Sequence, residues 1–85
     1  MSLKLLYFAW VRQKTGVGEE ILAMPAEVRT VGDLARFLAN RGEGYGEAFA
    51  DSSRLRAAVN QNHAPFEATV TDGDEVAFFP PVTGG

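Results

Sequence analysis

The stretch Leu3-Lys4-Leu5-Leu6-Tyr7-Phe8-Ala9 is short, apolar and rich in residues that favour extended backbone, so it predicts a buried strand. Successive side chains point to opposite faces of a strand. One face then carries Leu3, Leu5 and Tyr7, and the other carries Lys4, Leu6 and Phe8. The single lysine indicates that the second face is less completely covered.

Outward from this strand, three more stretches predict strands: Glu20–Met24, Leu55–Val59 and Glu75–Phe79. A short helix over Trp10–Thr15 separates the first two strands. The segment Phe66–Val70 is irregular and leaves room for one more short strand. The sheet is therefore expected to contain four to five strands.

Thr30 begins the clearest helix, because its hydroxyl can cap free backbone N–H groups and Asp33 suits the positive helix end. Apolar residues then recur at helical spacing. Gly42 is expected to end this helix. The glycine-rich segment that follows, Glu43–Gly46, is interpreted as a flexible connector, and a further helical turn is predicted at Glu47–Ala50.

This order of elements fits an α+β roll, a mixed sheet with one long helix across a single face. The first and last strands are the most apolar and are placed side by side at the centre. The other sheet face then lacks a long helix, so Phe8 and Phe79 are expected on it as a partner contact, with Arg12 at its rim. The alternative is that both phenylalanines belong to the core, since a bulge would invert the faces.

Composition excludes several classes of protein. The net charge of −3 argues against nucleic-acid binding, no apolar run predicts a membrane span, and the start lacks the pattern of a secretory signal. We therefore expect a cytoplasmic protein. Cysteine is absent, so any carried sulfur must be held by another atom. The acids after Arg56 are either solvated turn residues or an acidic collar that steers the chain end: Glu67, Asp72, Asp74 and Glu75.

No enzyme motif or metal-ligand cluster is found in the sequence. His63 is the only histidine, and it lies in or beside a polar turn, where a surface role or an interface contact is expected. Asp72 and Asp74 flank Gly73 and are interpreted as turn formers, not as paired catalytic acids.

The last six residues, 80–85, differ in composition from the rest of the chain, since they are rich in proline and glycine and carry no charged side chain. Pro80 and Pro81 prevent continued sheet pairing, so residues 80–85 are expected to form an extended functional tail beyond a globular domain over residues 1–79. Val82 and Thr83 continue the tail to Gly84 and Gly85. Glycines lack a Cβ, so this backbone can enter a narrow channel. The Gly85 carboxylate, once activated, can accept sulfur and become a nucleophilic thiocarboxylate.

On these residues the chain resembles the small subunit of molybdopterin synthase, a β-grasp, ubiquitin-like sulfur carrier. The resemblance rests on Leu5–Ala9 with Val11-Arg12, on Ala57–Gln61, and above all on Thr71–Gly85. It implies the β-grasp form of the predicted roll.

The resemblance also implies a cycle and a set of partners. An E1-like adenylylating enzyme would activate Gly85 with ATP, and a sulfur donor would convert it to a thiocarboxylate. The tail of residues 80–85 would then enter the large synthase subunit, within an expected heterotetramer, and give sulfur to a cyclic pyranopterin precursor. No permanently bound cofactor and no metal are implied. Two alternatives stay open: a sulfur carrier of another pathway, or a ubiquitin-like protein modifier. A third is an interaction module with an incidental Gly-Gly end.

Overall fold

A computed structural model of the protein describes residues 1–81. Within them, five strands form one mixed sheet, in the order β2-β1-β5-β3-β4. The strands are β1 (Ser2–Tyr7), β2 (Glu19–Ala23), β3 (Arg56–Val59), β4 (Asn62–Ala64) and β5 (Glu75–Phe79). β1 and β5 are parallel, and the other neighbours are antiparallel. The prediction that the first and last strands lie side by side is confirmed.

Three helices and one short 3₁₀ turn connect the strands: α1 (Ala9–Thr15), α2 (Val31–Ala39), α3 (Glu43–Phe49) and the turn Ser52–Arg54. The predicted inner face of β1 is fully buried, and it packs in one cluster with the apolar side of α2. The core cluster includes Leu3, Leu5, Tyr7, Leu34, Leu38, Val76 and Phe78. Within residues 1–81, none of the helices is long and apolar enough to cross a membrane.

The start of α2 is fixed by a reciprocal cap. The Thr30 hydroxyl accepts from the Asp33 backbone N–H at 3.1 Å, and the Asp33 carboxylate accepts from the Thr30 N–H at 3.2 Å. The helix ends at Ala39 rather than at Gly42, because the Asn40 N–H turns back to carbonyls of the last turn. The predicted start is therefore confirmed, and the predicted end is three residues too late.

The glycine-rich segment is not a flexible connector, and that interpretation is wrong. Residues 43–49 form α3, which packs against α1 through Gly44. A Cβ placed on Gly44 would lie 1.8 Å from the carbonyl oxygen of Lys14. The glycine is therefore required by the close approach of two backbones, a role that outweighs its poor intrinsic helix propensity.

A second correction concerns the fifth strand, which was expected within Phe66–Val70 and instead follows the polar segment after β3. Asn60 and Gln61 have φ of 51° and 72°, the left-handed conformations that a two-residue type I′ hairpin turn requires. The turn pairs Val59 with Asn62 and creates the short strand β4. His63 therefore lies beside the turn, as expected, in a strand opposite Ala58.

One polar cluster joins the edge strand β2 to the helical layer. The Glu20 carboxylate accepts from the hydroxyls of Tyr7 at 2.8 Å and Tyr45 at 2.7 Å, and from the Arg41 guanidinium at 3.0 Å. Burial alone would raise the pKa of Glu20, but the hydrogen bonds from Tyr45, Tyr7 and Arg41 outweigh it and lower the pKa below its usual value. Burial also raises the pKa of Tyr7, which keeps its hydroxyl a donor.

We expect this cluster to make stability depend on pH in the acid range. A carboxylate whose pKa is lowered on folding stabilises the native state above its unfolded pKa, about 4.3, and the contribution is lost as pH falls through the folded pKa. Glu20→Gln should cost about 1–3 kcal/mol at neutral pH and flatten the acid limb of a denaturation profile. Glu19→Gln is the control, since Glu19 is exposed and its lysine contact of 3.9 Å is a surface pair. Equal losses from both variants would contradict the assignment.

Candidate functional site: the tail exit and the open sheet face

The tail leaves the sheet from its centre. β5 is hydrogen bonded to β1 on one side and to β3 on the other, and Phe79 is its last residue. Pro80 and Pro81 follow outside any strand and are half-buried. The predicted roles of Val82, Thr83, Gly84 and Gly85 fall outside the described residues and stay predictions. The described part fixes where the tail starts: at the end of a strand held on both sides.

The sheet face opposite α2 is apolar at its centre. Leu6, Ala77 and Ala58 are cross-strand neighbours on this face, and the two alanines are nearly buried although no helix covers them in the described structure. Phe79 lies on the same face, because its neighbour Phe78 points into the core. We call this surface the open face; it comprises Leu6, Ala58, Ala77, Phe79 and Phe8.

Phe8 is placed beside the tail exit. Its N–H donates to the Phe78 carbonyl at 3.1 Å, so it continues the β1–β5 pairing for one residue. Its backbone is extended, which puts its side chain on the open face, and its side chain is 49% exposed. The next residue, Ala9, adopts φ 54°, a conformation that L-residues rarely take, and turns the chain into α1. The two phenylalanines thus lie on one face at one end, as expected.

Arg12 borders the same end of the sheet. Its side chain lies along the α1–β2 connection, where a Cβ on Gly18 would be 3.1 Å from the guanidinium carbon. A shallow groove beside it is lined by Leu6, Phe8, Val17 and Glu19. The structure therefore brings Arg12 close to Phe8. Its role as a partner contact remains a prediction.

Sequence reasoning missed one neighbour of Phe79. The His63 ring meets the Phe79 ring edge to face, with ring centroids 5.4 Å apart. Ile21, in the edge strand β2, is 66% exposed and is paired with Lys4 of the same face. The alternation in Asn62–Ala64 is too short to reveal a strand. The only useful signal was the turn predicted at Asn60-Gln61. A hairpin turn there sets the register that places His63 on the same face as Ala58.

The acidic collar proposed for the chain end is wrong for the residues around Gly73. Asp72 accepts from the Ser2 N–H at 2.7 Å, and Asp74 accepts from the Thr71 N–H at 2.8 Å. Both acids therefore close the turn before β5, at the opposite end of that strand from the tail. Hydrogen bonds from Asn60 and the Thr71 backbone lower the pKa of Asp74, as expected for a turn carboxylate. The turn-former interpretation is confirmed.

Comparison with known proteins identifies the family of this chain. The sequence profile of the ThiS family matches residues 5–85. The molybdopterin synthase sulfur carrier subunit of Escherichia coli is 45% identical over 83 residues, 98% of this chain and 99% of that protein.

Two solved structures show the same fold. The HVO 2177 protein of Haloferax volcanii has a TM-score of 0.78 at 29% identity and covers 100% of this chain and 87% of its own. A chain in the protein–protein complex of subunits 1 and 2 of molybdopterin-converting factor from Helicobacter pylori has a TM-score of 0.65 at 20% identity, with both chains fully covered. The predicted β-grasp fold is confirmed.

Proposed function

We propose that this chain, which belongs to the ThiS family, is the small, sulfur-carrying subunit of a molybdopterin synthase. One observation carries the proposal: the family match extends through Gly84 and Gly85, directly after a strand that the structure holds at the sheet centre. The carried sulfur would be a thiocarboxylate on Gly85.

The geometry supports this use of the chain end. β5 is fixed by both neighbouring strands, so the tail starts from a rigid base. Pro80 and Pro81 cannot donate to a sheet, so the pairing of β5 ends before them. Four residues beyond the prolines bring Gly85 to a reach of about 13 Å when extended. A buried active site on a partner is then accessible while the domain stays outside.

The proposed chemistry needs only the terminal carboxylate from this chain. One carboxylate oxygen attacks the α-phosphorus of ATP on the activating enzyme, and pyrophosphate leaves. A sulfur nucleophile at the oxidation level of sulfide then displaces AMP and leaves a thiocarboxylate. Such a group is ionised at neutral pH and is a nucleophile without a neighbouring base. This fits a chain with no cysteine and, within residues 1–81, no cluster of metal-ligand side chains.

The open face is the proposed docking surface for the large subunit, which would supply the catalytic side chains. Exposed aromatic residues around an apolar centre are typical of binding hot spots. Phe8 and Phe79 lie at the end of the open face where the tail starts, so docking there would direct the tail into the partner. The same face would bind the adenylylating enzyme at another stage of the cycle.

The proposal is tested by intact-mass measurement of the carrier after incubation with a purified adenylylating enzyme, ATP and a sulfide source. We expect a species about 16 Da heavier, because sulfur replaces one oxygen of the carboxylate. Addition of the large subunit and the pterin precursor should return the original mass as dithiolene product forms. ATP omission is the control. A ladder of conjugates to lysine residues, with no heavier carrier, would instead indicate a protein modifier.

The docking role of Phe79 is separable from folding by comparison with its neighbour. Phe78→Ala removes a fully buried ring and should cost about 3–5 kcal/mol of stability. Phe79→Ala removes a half-buried ring and should cost about 1 kcal/mol, yet weaken the complex with the large subunit by about 2 kcal/mol or more. Chemical denaturation and titration calorimetry measure the two effects. Normal binding by a folded Phe79→Ala variant would exclude Phe79 from the interface.

A further inference from the structure

Two arginines lie near the point where the tail leaves the sheet. Arg56 in β3 is the cross-strand partner of Phe79, and it lies on the open face because Ala57 points into the core. Arg54 lies two residues earlier, with its guanidinium carbon 5.0 Å from the ring centroid of Trp10. Trp10 follows β1, so the Arg54–Trp10 contact joins the segments on either side of β5. We call Arg54 and Arg56 the exit arginines.

The exit arginines are exposed, and neither of them forms an ion pair within residues 1–81. The ion pairs within that part of the chain use Lys4, Lys14, Arg36 and Arg41. Asp51 is the closest acid in sequence to Arg54; hydrogen bonds from the hydroxyl and backbone N–H of Ser53 lower its pKa, and the nearby charge of Arg54 adds to this effect. The stacking on Trp10 holds one guanidinium in place while its N–H groups stay available.

The opposite end of β5 carries the reverse charge. Asp72, Asp74 and Glu75 lie at its start, where the first two close the turn against Ser2 and Asn60. A five-residue strand separates the ends by roughly 15 Å. The two ends of β5 itself therefore differ in sign, with Arg56 beside Phe79 at the tail exit and Asp74 and Glu75 at the start of the strand.

We propose that the partner surface receiving the tail is acidic around the mouth of its channel, and that the exit arginines bind this rim and orient the carrier before the tail enters. The proposal rests on the proposed function, since it takes the large synthase subunit as that partner. Charges at the edge of an interface act mainly on the association rate, because complementary potentials steer the encounter. Arg56 pairs with Phe79 at the base of the tail and Arg54 lies two residues before it, so one acidic rim would contact both.

The test is the association rate constant between the carrier and the purified large subunit, measured by stopped flow at low and at high ionic strength. Arg54→Glu and Arg56→Glu should each slow association about tenfold at low salt, with the difference shrinking at high salt. Arg54→Lys should keep most of the rate because it keeps the charge.

Arg29→Glu is the matched control. Arg29 is exposed, and its carbonyl accepts from the Val70 N–H, just before the turn at the acidic end. The variant changes the net charge by the same amount far from the tail, so its rate should stay within about twofold of the original. Equal slowing by all three reversals, or faster association of the exit variants, would overturn the proposal.

The binding and sulfur-transfer measurements distinguish an error in the proposed function from an error in the proposed acidic rim. If the original carrier does not bind the large subunit at all, the function is wrong. If it binds and transfers sulfur but its association rate is insensitive to salt and to the exit arginines, only the acidic rim is wrong. The melting temperature, measured by calorimetry, should be nearly unchanged in every variant and confirms that each one is folded.

Discussion

Removal of Gly85, or addition of one residue after it, is expected to abolish sulfur transfer while leaving the melting temperature unchanged. The physical reason is that the proposed reacting group is the terminal carboxylate, and no cysteine exists to replace it. The tail begins after β5 and outside every strand, so the sheet does not depend on its last residue. A single-turnover assay with large subunit and pterin precursor measures transfer, and calorimetry measures folding.

The matched control is one residue added before Met1, at the other terminus. This variant should transfer sulfur normally. If the carrier extended after Gly85 supported full transfer, and mass spectrometry showed that the extra residue was still present, the sulfur would have to be held elsewhere.

Gly44→Ala is expected to be the most destabilising single-methyl change in the helical layer. The added Cβ would lie 1.8 Å from the Lys14 carbonyl oxygen and 2.9 Å from the carbonyl carbon, both of them backbone atoms that cannot rotate away. α1 and α3 would have to separate, at a cost of about 3 kcal/mol that exceeds the gain of about 1 kcal/mol in helix propensity. A net loss of about 2 kcal/mol lowers the melting temperature by about 10 °C in a domain of this size.

Gly46→Ala provides the comparison within the same helix. A Cβ on Gly46 would be 3.4 Å from the Ala39 carbonyl oxygen, close to ordinary contact. The propensity term should then dominate, leaving stability equal to or above that of the original chain. Similar melting temperatures for the two alanine variants would show that the approach of α1 and α3 is not tight.

The sheet centre and α2 were predictable because several signals agreed. β1 and β5 combine apolar composition with period-two alternation, and α2 combines an apolar stripe with Thr30 and Asp33 at capping positions. The first half of α3 was not predictable by the same means, since Gly44 and Gly46 oppose a helix locally, although a helical turn was expected over its second half. Its stability comes from contact with α1, which propensity does not register.

The candidate site was also predictable only in part from the sequence. Alternation along β1 and β5 placed Phe8 and Phe79 on one face, since no bulge interrupts the described pairing. His63 was missed because β4 depends on the left-handed turn at Asn60 and Gln61, and glutamine is not a usual residue there. Arg54 was missed because its contact with Trp10 joins segments that are distant in the sequence.

The parallel pairing of β1 with β5 has a consequence for the order in which the domain is completed. The two strands are the first and last elements of the described chain. β1 therefore cannot pair with β5, its neighbour at the sheet centre, until every other element has been synthesised. Such non-local contacts form late and slow the folding of a domain. The proposed docking surface and the base of the tail both depend on this pair of strands, since Phe8 continues β1 and Phe79 ends β5. Until β5 has paired with β1, the chain has neither the assembled open face nor a fixed base for its tail, so a misfolded chain would not present both features to a partner.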